Sequence, residues 1–270
     1  MSNATVNGIE VHYREAGEGF PVVLIHGYTG NSRNWALTVP ALRESFRTIS
    51  MDLRGHGQSA KPTRPEDYSL ALMADDVHGL LEQLDVGECY LAGHSMGGGV
   101  AMRLILAHPG LFRALVLVDT SASPQDLSRT EMRADLLKIA KEQGLEAAFE
   151  AQLRVDPAAY EIRSNPQAAQ VWREQFLMTS LEAYLYCAAA MAERESLLEE
   201  LRSVAVPTLI VCGEMDAPFT EPSRLMHEAI PGSELAIIAG AGHSPQFETP
   251  AEFNRVLVGF LSKVREASAV

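Results

Sequence analysis

The sequence predicts an α/β fold, a mostly parallel sheet with helices on its faces, interrupted once by a helical insertion. Two observations carry that reading. Short runs rich in Val, Ile and Leu alternate with helical patterns through residues 20–119, the signature of strand-helix-strand units. Residues 128–201 are then rich in Ala, Glu, Leu and Arg and hold no convincing β run, before the strand rhythm returns near residue 206.

In chain order, residues 9–13 alternate Ile9, Val11 and Tyr13 and read as an early strand, so the sheet is expected to open with an antiparallel hairpin. Parallel strands follow at 21–26, 46–52, 89–93 and 114–119. Between them, residues 70–84 place Leu70, Met73, Ala74, Val77, Leu80, Leu81 and Leu84 on one face of an amphipathic helix. The Pro-containing joints at Ser123-Pro124 and Val206-Pro207 mark the edges of the insertion. Strands at 206–212 and 234–238 and a closing helix over 251–264 complete the pattern.

Composition narrows the function classes. The chain has 270 residues, 22 Lys plus Arg against 35 Asp plus Glu, and a formal charge of −13. A nucleic-acid binder must neutralise phosphates with clustered basic residues, and none cluster here. Apolar runs such as 114–118 fall far short of the ~20 residues a spanning helix needs, so no membrane role is expected. The first residues carry Glu10, Glu15 and Glu18 and lack a basic start with an apolar stretch, so a cytoplasmic location is expected. Cys89, Cys187 and Cys212 are expected to be reduced thiols, and no metal site is indicated by their spacing.

The most informative segment is Gly93-His94-Ser95-Met96-Gly97, which fits the nucleophile-elbow pattern G-x-S-x-G and sits after a strand and before a helix. A serine on such a sharp turn needs small residues two positions either side, and Gly93 and Gly97 supply them. A serine hydroxyl is a weak nucleophile at neutral pH, so the reading demands a histidine base and an acid to orient it. Of eight histidines, His12, His78, His108 and His227 lie on strand or helix patterns. His26, His56 and His94 belong to Gly-flanked turns, as structural or pocket-lining groups. His243, in the Gly-rich loop after the last strand, is the expected base, because the chain order Ser, acid, His requires it there. Asp216, directly after the strand at 206–212, is the expected acid. Glu214 and Asp119 are the alternatives, each also compatible with ordinary turn or capping chemistry. The oxyanion donors are expected to be the backbone N–H groups of Tyr28, in the loop after the first parallel strand, and Met96.

With His26-Gly27 after a strand, Asp52-Leu53-Arg54-Gly55-His56-Gly57-Gln58-Ser59, the Ser95 elbow, Asp216 and Gly242-His243 in order, the whole chain resembles the α/β-hydrolase superfamily. The resemblance implies an eight-stranded, mostly parallel sheet, with residues 1–122 and 206–270 as the core and 123–205 as a helical cap. It implies no cofactor, and a structural role for the 52–59 loop. Serine at 95 is unlike the carboxylate nucleophile of haloalkane dehalogenases and epoxide hydrolases. The core is similar to small microbial carboxylesterases, enol-lactonases and haloperoxidase-like perhydrolases.

Carbon-carbon hydrolases of this fold usually place Asn before the nucleophile and Trp after the histidine, where this chain has His94 and Ser244. A synthase of the menaquinone pathway relies on pocket arginines; Arg129, Arg133, Arg154 and Arg163 fit that pocket or a solvated helix face. The expected activity is carboxylic ester hydrolysis of small to medium substrates by a monomer or homodimer, with a non-turnover ligand receptor as the alternative of another class. Phe149, Tyr160, Trp172, Phe176, Met178, Tyr184, Tyr186 and Met191 either line an apolar substrate pocket or hold the cap helices together. His26, His94, Trp172, Phe176 and Tyr184 are the candidate pocket residues.

Overall fold

The computed structural model describes residues 2–124, 127–155 and 166–268. Its centre is an eight-stranded sheet: β1 (Ser2–Val6), β2 (Ile9–Ala16), β3 (Phe20–Ile25), β4 (Phe46–Met51), β5 (Cys89–His94), β6 (Phe112–Val118), β7 (Thr208–Gly213) and β8 (Glu234–Ile238). The spatial order is β1-β2-β4-β3-β5-β6-β7-β8. β2 runs antiparallel to β1 and β4, and every other pairing is parallel. The expected opening hairpin is present, and β1 is the strand that the alternation of residues 9–13 did not announce. Asn7 and Gly8, both at positive φ (49° and 79°), form the tight turn that joins β1 to β2.

The central strands read as continuous apolar runs because both faces of the sheet are covered. Val23, Ile25, Leu91, Leu115 and Leu117 face one core with residues of α2 (Leu70–Gln83) and α3 (Met96–Ala107). Val22, Leu24, Tyr90, Ala92, Val116 and Val118 face the other, with Trp35, Leu42 and the Phe253, Leu257, Phe260 and Leu261 stripe of the closing helix. The period-2 switch between cores is the pleat of the sheet. All three cysteines are buried and unbridged, and burial pushes the Cys89 and Cys212 thiols up to about 12. Among the described residues no helix is long and apolar enough to cross a membrane.

The remaining helices are α1 (Val39–Leu42), α4 (Leu127–Gln143), α5 (Leu145–Val155), α6 (Pro166–Leu177), α7 (Leu181–Ala192), α8 (Ala217–Ala229), α9 (Pro245–Glu248) and α10 (Pro250–Ser268). Between 123 and 205 the described residues contain helices and no strand. This helical layer has its own small core of Ala140, Ala148, Phe149, Phe176 and Tyr184. It is tied to the sheet scaffold by backbone bonds, Ser180 N–H to the Gly55 carbonyl and Leu197 N–H to that of Ala122, both 2.8 Å. The Arg194 guanidinium adds two donors to the Ser123 carbonyl, at 3.0 and 2.7 Å.

Candidate active site

Ser95 sits between the end of β5 and the start of α3 with φ 52° and ψ −115°, a conformation that strains a non-glycine residue. Close packing on both sides holds it there. A Cβ on Gly93 would lie 2.3 Å from the Gly97 carbonyl oxygen, and one on Gly97 would lie 2.5 Å from the carbonyl oxygens of Ile25 and His26. The Ser95 N–H donates to the Val118 carbonyl at 2.9 Å, and its own carbonyl accepts from Gly98 N–H at 3.0 Å and from the Thr120 hydroxyl at 2.7 Å. The turn is thus pinned by three strand ends.

His243, on the loop after β8, places Nε2 2.9 Å from Ser95 Oγ and Nδ1 2.7 Å from Asp216 Oδ2. With the proton on Nδ1 donated to the carboxylate, Nε2 is free to accept from the serine hydroxyl. Asp216 is buried at the turn between β7 and α8, while the His243 side chain is 21% exposed. Phe219, one turn into α8, stacks on the imidazole with ring centroids 4.7 Å apart. Sequence order therefore brought three distant residues into one hydrogen-bonded chain.

Met96 is the first residue of α3, so its N–H has no intrahelical partner. Among the described residues Tyr28 N–H finds no backbone acceptor, and its neighbour Gly27 packs so closely on the elbow that a Cβ there would lie 3.1 Å from Ser95 Cβ. Both residues thus stand beside the elbow, Met96 in sequence and Tyr28 through Gly27.

A family model for the alpha/beta hydrolase fold matches residues 21–250, the span from β3 to the start of the closing helix. The chain belongs to this family. Among solved structures it is similar to a carboxylesterase of the thaumarchaeon Nitrososphaera gargenis (TM-score 0.90, 27% identity, 98% of this chain and 100% of that one). It is also similar to the enol-lactonase of Burkholderia xenovorans LB400 (TM-score 0.88, 28% identity, 97% and 100%). A curated relative, the putative 2-succinyl-6-hydroxy-2,4-cyclohexadiene-1-carboxylate synthase of Bacillus subtilis, is 28% identical over 94% of this chain and 96% of its own.

Around the α/β-hydrolase elbow, the other candidates divide by what they touch. His26 is fully buried, with Nδ1–H donating to the Gly27 carbonyl (2.7 Å) and Nε2 accepting from Leu53 N–H (2.9 Å). It ties two loops together and does not face open space. His94 also lies beneath the site: its Nε2–H donates to the His243 carbonyl at 2.7 Å, and burial together with the neighbouring imidazole pushes its pKa down to about 3. It is neutral and holds the main chain of His243. Asp52 accepts from Ser32 N–H and Gln58 N–H (2.7 and 2.8 Å), and Arg54 pairs with buried Asp76 at 2.6 Å. The 52–59 loop is a structural brace.

The aromatic candidates form a ladder. Trp172 meets Phe149 (5.7 Å between centroids), Phe149 meets Phe176, Phe176 meets Tyr184, and Tyr184 stacks on Tyr28, each of these last three at 5.3 Å. Phe176 and Tyr184 are buried among helices, and only the Tyr28 end of the ladder reaches the elbow. The Tyr28 hydroxyl donates to the Tyr184 carbonyl, and the Arg133 guanidinium lies 4.9 Å over the Tyr28 ring. Tyr160, Arg163 and the Arg129 side chain lie outside the described residues.

Two residues that sequence reasoning passed over or set aside stand beside His243 and Asp216. Glu248 accepts from the N–H groups of Gly242 and Ser244, clamping both sides of His243. An acidic residue just after Ser244-Pro245, a helix start, is the signal that could have found it. Asp119 does not bond His243; its Oδ1 accepts from Gly213 N–H at 2.9 Å, and Glu214 accepts from Gly240 N–H at 3.0 Å. Among the described residues, the only converging metal-type donors are those of Asp119, Asp216 and His243, within 4.8 Å of one another. His243 and Asp216 are already committed to each other, which leaves no open set for an ion.

Proposed function

We propose that this α/β-hydrolase is a serine hydrolase that cleaves carboxylic esters of small to medium substrates through an acyl-enzyme. The observation that carries the reading is the unbroken chain from Asp216 through His243 to Ser95 Oγ, at 2.7 and 2.9 Å. Ser95 attacks the carbonyl carbon while His243 Nε2 takes its proton, and the imidazolium is stabilised by Asp216. The N–H groups of Tyr28 and Met96 receive the developing oxyanion, each such donor contributing about 3 kcal/mol of transition-state stabilisation. His243 then protonates the leaving alcohol, and in the second half-reaction it deprotonates the water that frees the acid. The helical layer acts as a cap that meets the scaffold at the Tyr28-Tyr184 contact. The similarity to a carboxylesterase and an enol-lactonase supports acyl transfer at an ester or lactone carbonyl.

One observation favours a second reading. Arg133 Nη1 is buried and meets no hydrogen-bond partner among the described residues, with the guanidinium over the Tyr28 ring. A guanidinium nitrogen with an unmet donor suits a substrate carboxylate, and the chain is similar to a putative 2-succinyl-6-hydroxy-2,4-cyclohexadiene-1-carboxylate synthase of Bacillus subtilis. A rate profile across p-nitrophenyl esters of increasing acyl length, set beside a lactone, a peracid assay, a ring-fission diketone and a carboxylate-bearing ester, separates these chemistries. Multiple turnover of the neutral short esters supports the main reading. Activity confined to carboxylate-bearing substrates and abolished by Arg133→Ala supports the second, and binding without turnover of any of them points to a receptor.

A further inference from the structure

Asp119 directly follows β6 in a left-handed conformation, φ 42°, which strains a non-glycine residue. Its N–H donates to the Val211 carbonyl at 2.9 Å, and its Oδ1 accepts from Gly213 N–H, so the residue is held against the end of β7 on both sides. The second oxygen, Oδ2, is buried and receives no N–H or O–H from the described residues. The carboxyl group of Asp216 is close by: one oxygen of each residue and a ring nitrogen of His243 lie within 4.8 Å of one another. Two acidic side chains, both almost fully buried, thus stand together directly behind the base.

We propose that Asp119 is a positioning residue for the acid of the triad: it stays a neutral carboxylic acid and donates its proton to the Asp216 carboxylate. The inference rests on the serine-hydrolase reading for its kinetic consequence and on the geometry alone for its protonation state. Two adjacent buried carboxyls cannot both ionise cheaply, and a shared proton turns their repulsion into a short charge-assisted hydrogen bond. The charge remains on Asp216, which faces the His243 N–H. Burial and then the Asp216 charge push the Asp119 carboxyl well above the ordinary carboxylate range. Among the described residues, the other titratable groups facing the pair are the Cys212 thiol from β7, His94 from the end of β5, His243 from the β8 loop and Glu248 from α9. No bond is made or broken in this role. The proton stays on Asp119 through the cycle, and its effect is to fix the rotamer of Asp216 and hence the direction of His243 Nδ1–H.

Asp119→Asn and Asp119→Leu distinguish this from a purely structural anchor. Asparagine still accepts from Gly213 and still donates to Asp216, whereas leucine does neither. Turnover is measured per active site, titrated with a serine-directed phosphonate, from pH 6 to 9. The expected results are kcat within about 3-fold of wild type for Asp119→Asn, and a loss of about 10-fold or more for Asp119→Leu with KM little changed, the loss of one charge-assisted bond. Infrared spectra of wild type at pH 7 should carry a protonated-carboxyl carbonyl band that is absent from Asp119→Asn. Absence of that band from wild type overturns the proposal, as does an Asp119→Asn loss as deep as that of Asp216→Asn. An Asp119→Leu protein with reduced stability but unchanged kcat per site overturns it too. If Asp119→Leu does not fold, the asparagine and infrared results still decide. A wild type that hydrolyses no ester and takes no phosphonate refutes the functional reading instead, and the infrared result stands apart from it.

Discussion

His56 offers a quantitative check on how the core braces the site, because it is buried, titratable and outside the triad. Its Nδ1–H donates to the Arg54 carbonyl at 2.9 Å and its Nε2 has no hydrogen-bond partner among the described residues. Burial, and then the His26 ring 5.1 Å away, push its pKa from 6.5 down to about 3. Between those values the unfolded chain binds a proton that the folded chain refuses, so this contribution to stability is fully present above pH 6.5 and is lost as pH falls. Each pH unit is worth about 1.4 kcal/mol, so a fall from 6.5 to 5.0 removes about 2 kcal/mol. The His94 imidazole acts in the same direction and Asp119, whose carboxyl is pushed up by burial, in the opposite one. Comparing wild type with His56→Gln cancels both. Urea unfolding at pH 7.5 and 5.0 should show the stability advantage of wild type over the variant shrinking by about 2 kcal/mol on acidification. An advantage that is the same at both pH values would refute the reasoning, since it would mean that His56 titrates alike in the folded and unfolded chain.

Other consequences are equally direct. Gly97→Ala should destabilise the fold by more than about 2 kcal/mol in urea unfolding, because its Cβ meets backbone carbonyl oxygens at 2.5 Å that cannot move aside. Asp216→Asn should lower kcat by about 10⁴ through the wrong imidazole tautomer, while Glu214→Gln, bonded only to the exposed Gly240 N–H, should stay near wild type in the same ester assay. Tyr28→Phe removes the hydroxyl bond to the Tyr184 carbonyl but keeps the backbone donor, so thermal or urea unfolding should register a loss of about 1 kcal/mol with kcat within a few-fold.

How much of this was legible in the sequence depended on how local the signal was. The parallel strands announced themselves because burial on both faces leaves no polar alternation, and the glycines of the elbow did so because close backbone packing admits nothing larger. Chain order alone ranked Asp216 and His243 above their competitors. β1 escaped because Ser2–Val6 is short and half exposed, although Asn7-Gly8 was the turn signal that marks it. The aromatic residues of the helical layer stayed ambiguous because a helical period reports burial without saying against what. Phe149, Phe176 and Tyr184 turn out to pack chiefly on one another. The bracing roles of His94 and His26 and the closeness of Asp119 to Asp216 were illegible for a different reason, since they depend on strand ends far apart in the chain meeting at one sheet edge.

The central claim is that Ser95 is a nucleophile activated by His243. The most direct measurement is mass spectrometry of the intact and digested protein after exposure to a serine-directed phosphonate, in parallel with p-nitrophenyl acetate turnover. One adduct per chain on the peptide that holds Ser95, with activity lost in the same proportion and both absent from Ser95→Ala and His243→Ala, is the predicted result. An unlabelled Ser95, or a Ser95→Ala protein that keeps most of the ester hydrolysis, would contradict it.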